Sequence, residues 1–293
     1  MEATSFLTAV LSGLLLGSLY CLMAMGLTVV WGVLRIFNFA HGAIVMWGAY
    51  VMWYLLIGSG TSLGYLGSFI MLIPISLLIG LAFYGVGIHP LLGRREVEMA
   101  IVIGTLALGI VLENLALLTF GPRLKRLPPA IPGSSSLAFF NVSNHYLLII
   151  PASIGILAIV GAFLMRTKLG IAMRAVAQDK EACRLVGINV ERVFAYTMAL
   201  SAMLACVSGA LLGSIRFITP SMGGDILMIS FIVVIFGGLG SIKGTIAAGF
   251  FVGLVESFSS LFVGIYWTPP ILFLVMMAVL VLRPSGLFGE KVT

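Results

Sequence analysis

The sequence predicts an all-α fold, a polytopic bundle of about eight or nine membrane segments with a broken or re-entrant helix near 226–244. Three observations carry that prediction. The chain has 293 residues, of which 61% are hydrophobic and 9% charged, whereas a soluble domain carries about 25% charged residues. Its charges are clustered: Asp, Glu, Lys and Arg are absent from Ile36 to Gly93 and again from Leu127 to Met165. At about 20 residues per crossing, the first of these runs suffices for two spans. The runs are apolar on all sides rather than alternating as in a membrane barrel, so helices, which satisfy their own backbone in lipid, are the better reading. The 35 glycines suit helices that approach closely within a bilayer.

In order, the segments read as 6–33, 37–58, 66–88, 99–120, 145–165, 193–215, 226–238, 244–264 and 268–283, and 1–293 forms one transmembrane domain. The segment 226–238 is short for a crossing. The N-terminus does not resemble a cleaved signal peptide: it lacks a basic start, and its apolar stretch runs to Trp31 without an Ala-x-Ala site. Cys21 and Cys206 sit in apolar runs and Cys183 in a charged loop, a distribution that predicts no disulfide. The net charge of +6 does not indicate nucleic acid, because no basic patch with interleaved aromatics accompanies it.

Topology explains the basic residues better. The loop 166–192 carries Arg166, Lys168, Arg174, Lys180, Arg184 and Arg192. If it is cytoplasmic, alternation places Arg35, Arg94, Arg95, Lys243, Arg283 and Lys291 on the same side. Arg123, Lys125, Arg126 and Arg216 fall outside. By the positive-inside rule the N-terminus is outside and the C-terminus inside. The loop 121–144 reads as irregular from its prolines and serines. A weak internal echo relates Gly13–Leu19 to Gly209–Ile215, and internal repeats are frequent in transporters.

Four regions hold candidate functional residues. In the loop 166–192, Asp179 and Glu181 stand near the start of a short helix, Arg184 near its end and Gly187 just beyond it, an order that suits the helix dipole and a glycine stop. Ala175, Val176, Ala182, Cys183 and Val186 form a possible apolar stripe, so the loop suits docking in a partner's groove; a membrane-surface helix or plain connector is the alternative. Arg35, Asn38 and His41 recur every three residues, which on a helix aligns them along one side. They either line a path or cap a span, with His41 bonded to backbone. Glu113 and Glu256 are the acids deepest in the spans, where an ionisable residue suggests function by default; structural pairing with Asn114 or Arg216 is the alternative. Gly237, Gly238, Gly240 and Gly244 fit a helix break. That stretch is not a phosphate loop, because Ile242 rather than glycine precedes Lys243. No catalytic set is visible, and His41, His89 and His145 lack metal-ligand spacing.

Several stretches together resemble the LivH-type permease of bacterial branched-chain amino acid ABC importers. They are GLTVVWGVLRIFNFAHG from Gly26 to Gly42 with Gly48-Ala-Tyr50, IFGGLGSIKG from Ile235 to Gly244, Val255-Glu256-Ser257, and LRPSGLFG from Leu282 to Gly289. The loop from Arg174 to Gly187 resembles that family's ATPase-contacting region. Lys243 stands where the family often has proline. The resemblance implies a machine of several chains in the bacterial inner membrane. This permease would work with a paralogous LivM-type permease, two ABC ATPase subunits holding ATP and Mg, and a periplasmic substrate-binding protein. The chain itself would bind no cofactor or metal and would not be an enzyme. The expected function is ATP-driven import of branched-chain or other hydrophobic amino acids by alternating access. The alternative is an ion-coupled secondary transporter or channel using Glu113 or Glu256; a membrane enzyme lacks a catalytic set.

Overall fold

A computed structural model describes residues 3–60, 63–94, 96–137, 140–283 and 285–289. Arg95 and Lys291 of the charge asymmetry, and Pro284 of the last motif, lie outside the described residues. Among them, helices α1 (Ala3–Leu34), α2 (His41–Trp53), α3 (Gly64–Phe83), α4 (Val97–Phe120) and α5 (Asn144–Arg166) precede two short helices, α6 (Lys168–Gln178) and α7 (Lys180–Leu185). Then follow α8 (Val190–Leu212), α9 (Met222–Gly237), α10 (Ile242–Phe262) and α11 (Thr268–Leu282). Eight of the described helical stretches are long and apolar enough to cross a membrane, and α9 falls short. The chain is a multi-pass, all-α membrane protein.

Glycine decides how closely the helices pack. Helix α10 lies antiparallel on α1, where a Cβ on Gly13 would meet Leu254 and one on Gly17 would meet Phe250. Cys21 Sγ donates to the Ile246 carbonyl at 3.2 Å, and the hydroxyls of Thr28 and Thr245 lie 2.6 Å apart. Helix α8, the most enclosed of the long spans, takes α2 on one face, with Gly209 against the Val45 carbonyl, and α3 on another, with Gly80 against Ala199. Without side chains at these positions the backbones touch, and dispersion and weak C–H···O contacts replace the hydrophobic drive that lipid does not supply.

Long-range contacts sort the connections into two ends. Lys180 Nζ donates to the Leu34 carbonyl at 3.2 Å, a Cβ on Gly32 would stand 3.8 Å from Gly240 Cα, and His89 Nε2 lies 3.8 Å from Glu191 Oε2. Leu287 and Phe288 donate their amides to the Phe236 and Gly237 carbonyls. The turn after α1, the α6–α7 loop, the α9–α10 turn and the C-terminal tail therefore share one end, here called the basic end. At the opposite end the tilted rings of Phe6 and Phe258 lie 5.4 Å apart, and Lys125 sits 3.9 Å over the Trp53 ring.

The structure corrects three expectations. The span expected over 37–58 becomes helical only at His41, and Arg35 to Ala40 are non-helical. Arg35, Asn38 and His41 therefore do not share the side of a helix. The loop 121–144 is not wholly irregular: it contains a hairpin of β1 (Ser134–Leu137) and β2 (Phe140–Ser143), and Lys125 bridges Ile218. The expected apolar stripe of the loop 166–192 falls on two helices. Val176 and Cys183 are buried, whereas Leu185 and Val186 are among the most exposed apolar residues of the chain. Asp179, in extended conformation between α6 and α7, breaks the stripe.

Candidate functional site

The charged loop is built from local chemistry. Thr167 caps α6 by accepting from the Gly170 amide, and Asp179 Oδ1 accepts from the amides of Glu181 and Ala182 at 2.8 and 2.9 Å. Glu181 stands in the first turn of α7 and Arg184 in the last, matching the sign of the helix dipole. Gly187 adopts φ +84. Its amide bonds the Arg184 carbonyl and the Ile188 amide bonds the Cys183 carbonyl, the paired closure of a glycine-stopped helix. Arg174 donates to the Met165 carbonyl at 3.3 Å, tying α6 to the end of α5. Lys180 links α7 to α1 through Leu34 and lies 5.3 Å from the centre of the Phe194 ring. Burial, then Arg35 and Arg184, holds its amine below the usual lysine range. Lys180 thus joins α7 to the chain just before Arg35.

From Arg35, a non-glycine residue at φ +60, the chain climbs back into the bundle. His41 Nε2 meets the Met23 carbonyl at 2.9 Å. Met23 stands eleven residues before Leu34, roughly 16 Å up from the basic end at 1.5 Å per residue. Helix α2 thus begins within the membrane. Non-helical backbone at that depth must be enclosed by protein and satisfied, and four amides of this stretch have acceptors. Arg35 donates its amide to Trp31, Phe39 to Thr105 Oγ1, Ala40 to Asn38 Oδ1 and His41 to the Asn38 carbonyl. Asn38 and His41 are fully buried, and Asn38 Nδ2 and His41 Nδ1 have no partner among the described residues. Arg35 remains exposed at the basic end, so the structure separates it from the other two.

Helix α9 mirrors this construction from the other side. After α8 ends at Leu212, residues 213–221 turn inward, pairing with Lys125 and Leu127 through backbone bonds at Ile218 and Gly213. Helix α9 then starts at Met222 and reaches the basic end at Gly237. Gly223 therefore lies roughly 21 Å up, and a Cβ on Gly42 would overlap its carbonyl. The starts of α2 and α9 meet at mid-depth. The Glu113 carboxylate approaches the same spot, with Oε1 2.9 Å from where a Gly223 Cβ would stand. Two helix starts carry unsatisfied amides and partial positive charge, which favour a carboxylate there. Among the described residues Asn114 bonds its own helix, donating to the Ile110 carbonyl.

Glu256 pairs with Arg216, one of its two candidate partners. Arg216 Nη2 donates to Glu256 Oε1 at 2.8 Å, and the Tyr20 hydroxyl donates to Glu256 Oε2. Arg216, expected in an outer loop, is drawn inward by the descent of 213–221. The helix break falls at 238–241: Gly237 ends α9, Gly238 and Gly240 take φ +100 and +81, and Ser241 caps α10 through the Gly244 amide. Lys243 lies after the break and does not disturb it. Sequence reasoning missed Asp225, in the first turn of α9 and exposed. It also missed Tyr20, whose partner stands 236 positions away.

Spans that start at mid-depth, meet by their N-termini and bring carboxylates to that layer define a membrane protein of the transport class. The comparisons identify the family. Residues 9–282 match the family model described as branched-chain amino acid transport system / permease component, and the chain belongs to that family. It is similar to the high-affinity branched-chain amino acid transport system permease LivH of Escherichia coli K12, at 31% identity over 97% of this chain and 96% of that protein. It is similar to BraD of Pseudomonas aeruginosa at 30% over 99% and 97%. A probable LivH of Methanocaldococcus jannaschii is 29% identical over 93% and 89%. No solved structure matches the chain.

Proposed function

We propose that this chain is the membrane permease of an ATP-driven importer for branched-chain or other hydrophobic amino acids, residing in the cytoplasmic membrane with the basic end inside. The observation that carries the path assignment is the mid-depth layer, where α2 and α9 begin against each other beside Glu113. Asp225 is exposed on the first turn of α9 in that layer. A carboxylate facing lipid at such depth is expensive, so this face of α9 meets water or a partner subunit. A paralogous LivM-type permease is the partner that fits it. The substrate class comes from the names of the relatives.

ATP and Mg belong to two ATPase subunits docked at α6 and α7, and this chain holds no cofactor. The exposed Leu185–Val186 tip, flanked by Glu181 and Arg184, fits a groove of mixed polarity. Movement of α7 passes through Lys180 to Leu34 and the strained Arg35, and from there along Phe37 and Asn38 to His41 at the path. A periplasmic binding protein delivers the solute at the opposite end.

Reconstitution tests the reading. Vesicles with the permeases, ATPases and binding protein are expected to accumulate leucine only when ATP is present. Uptake by this chain alone, driven by a proton or sodium gradient, contradicts it.

A further inference from the structure

The outer half of α1, the outer half of α10 and the start of α11 enclose a cleft of about 580 Å³ at the end opposite the basic loop. That volume lies within the range of small-molecule sites, about 300–1,000 Å³. The lining is of two kinds. Ser5, Thr8, Ser12 and Thr268 contribute hydroxyls, Leu16, Leu261 and Ile265 contribute aliphatic surface, and Ser260 is an exposed residue of the lining to which no solute contact is assigned. The Thr268 hydroxyl is buried without a partner among the described residues.

Arg216 and Glu256 also line this cleft. Glu256 stands fourteen residues into α10, roughly 21 Å from the basic end, the deepest of that helix's lining residues. The Arg216 side chain is 44% exposed despite its ion pair. Both of its side-chain hydrogen bonds leave from Nη2, one to Glu256 and one to Tyr20. Nε and Nη1 have no bond among the described residues, so donors of the guanidinium fork remain free. Stability alone is a weak reason for such a pair, since apolar replacement of a buried ion pair is often neutral or stabilising.

We infer that this cleft binds the zwitterionic head of an aliphatic α-amino acid. The Arg216 fork takes the α-carboxylate, for which its planar donors are matched. Glu256 takes the α-ammonium, the cleft hydroxyls take the remaining hydrogen bonds, and Leu16, Leu261 and Ile265 take the side chain. Opposite charges one carbon apart on the solute face opposite charges 2.8 Å apart on the protein. A solute lacking either charge leaves one member without its new partner. The inference rests on the import reading and adds to it the chemical group that this chain recognises.

The test is thiol protection in the complete complex. Ser260→Cys places a reporter at an exposed position of the cleft, while native Cys21, Cys183 and Cys206 are buried. Alkylation by a small polar maleimide is timed with L-leucine, with 3-methylbutylamine, which lacks the carboxylate, and with 4-methylpentanoate, which lacks the ammonium. Leucine at about twice its Kd is expected to slow alkylation about threefold, and the two analogues at the same concentration to leave it nearly unchanged. Arg216→Lys, which keeps the charge and removes the fork, is expected to abolish the protection with the elution profile of the complex preserved. Equal protection by all three solutes overturns the zwitterion assignment. Absence of protection by leucine, in a complex that imports leucine in a parallel vesicle assay, overturns the site alone. Absence of ATP-driven leucine uptake by the complex without substitutions overturns the import reading and this inference with it.

Discussion

Gly187 shows how a single backbone angle positions the charged loop. Its φ is +84 and nothing stands within 4 Å of where a Cβ would lie, so the penalty for substitution is conformational rather than steric. An L-residue in the left-handed region costs roughly 1–2 kcal/mol, with asparagine among the best tolerated and β-branched residues among the worst. Gly187→Val is expected to weaken α7 by about that amount, and Gly187→Asn by less than half of it. Amide hydrogen exchange over 182–188 reads the difference, and equal exchange in both variants and the parent contradicts it. Asp179→Ala, which removes two cap bonds, is expected to cost about 1 kcal/mol in the same measurement. Both residues were legible in the sequence because caps are local chemistry. Arg35 at φ +60 was not, because its conformation is imposed by where α1 and α2 must lie.

Among the elements, the contact of α2 with α8 makes the sharpest demand. A Cβ on Gly209 would overlap the Val45 carbonyl and come 3.2 Å from the Ala49 amide nitrogen, whereas one on Gly155 of α5 would meet nothing within 4 Å. Backbone cannot yield as a side chain does, so Gly209→Ala is expected to cost at least about 1–3 kcal/mol by overpacking. Gly155→Ala is expected to be nearly neutral. Thermal melting in detergent compares them, and equal melting temperatures refute the close approach. The spans were legible because length and apolarity mark a crossing whatever it packs on. The two discontinuities were not. Ile36, Phe37, Phe39 and Ala40 are apolar, and hydropathy does not distinguish a non-helical stretch of chain enclosed by protein from a helix turn in lipid. The same limit hid Asp225, since the apolar run of α9 reads as starting one residue later. Arg216 read as a loop residue because its partner Glu256 is distant in sequence.

For the molecule as a whole, the nine longer helices among the described residues run between two ends, with α2 and α9 starting at mid-depth. The proposed orientation places the basic end in the cytoplasm, and exposed reporters test it. Ser135→Cys is expected to label from outside and Leu185→Cys from inside, whereas Cys183 is buried and a poor reporter; the reverse pattern contradicts the orientation. The central claim is that the mid-depth layer where α2 meets α9 carries the solute and answers to the ATPases. Leucine uptake per ATP hydrolysed tests it most directly. It is to be measured in vesicles holding the complete complex with His41→Ala, Asn38→Ala or Asp225→Asn, beside a melting curve for each. The His41 variant loses one hydrogen bond to Met23, worth about 1 kcal/mol, and the packing of a fully buried ring, so the melting curve separates lost stability from lost coupling. The expected result is an intact assembly that hydrolyses ATP while uptake per ATP falls severalfold. Unchanged uptake per ATP with a lowered melting temperature would contradict the claim and leave these residues a purely structural role.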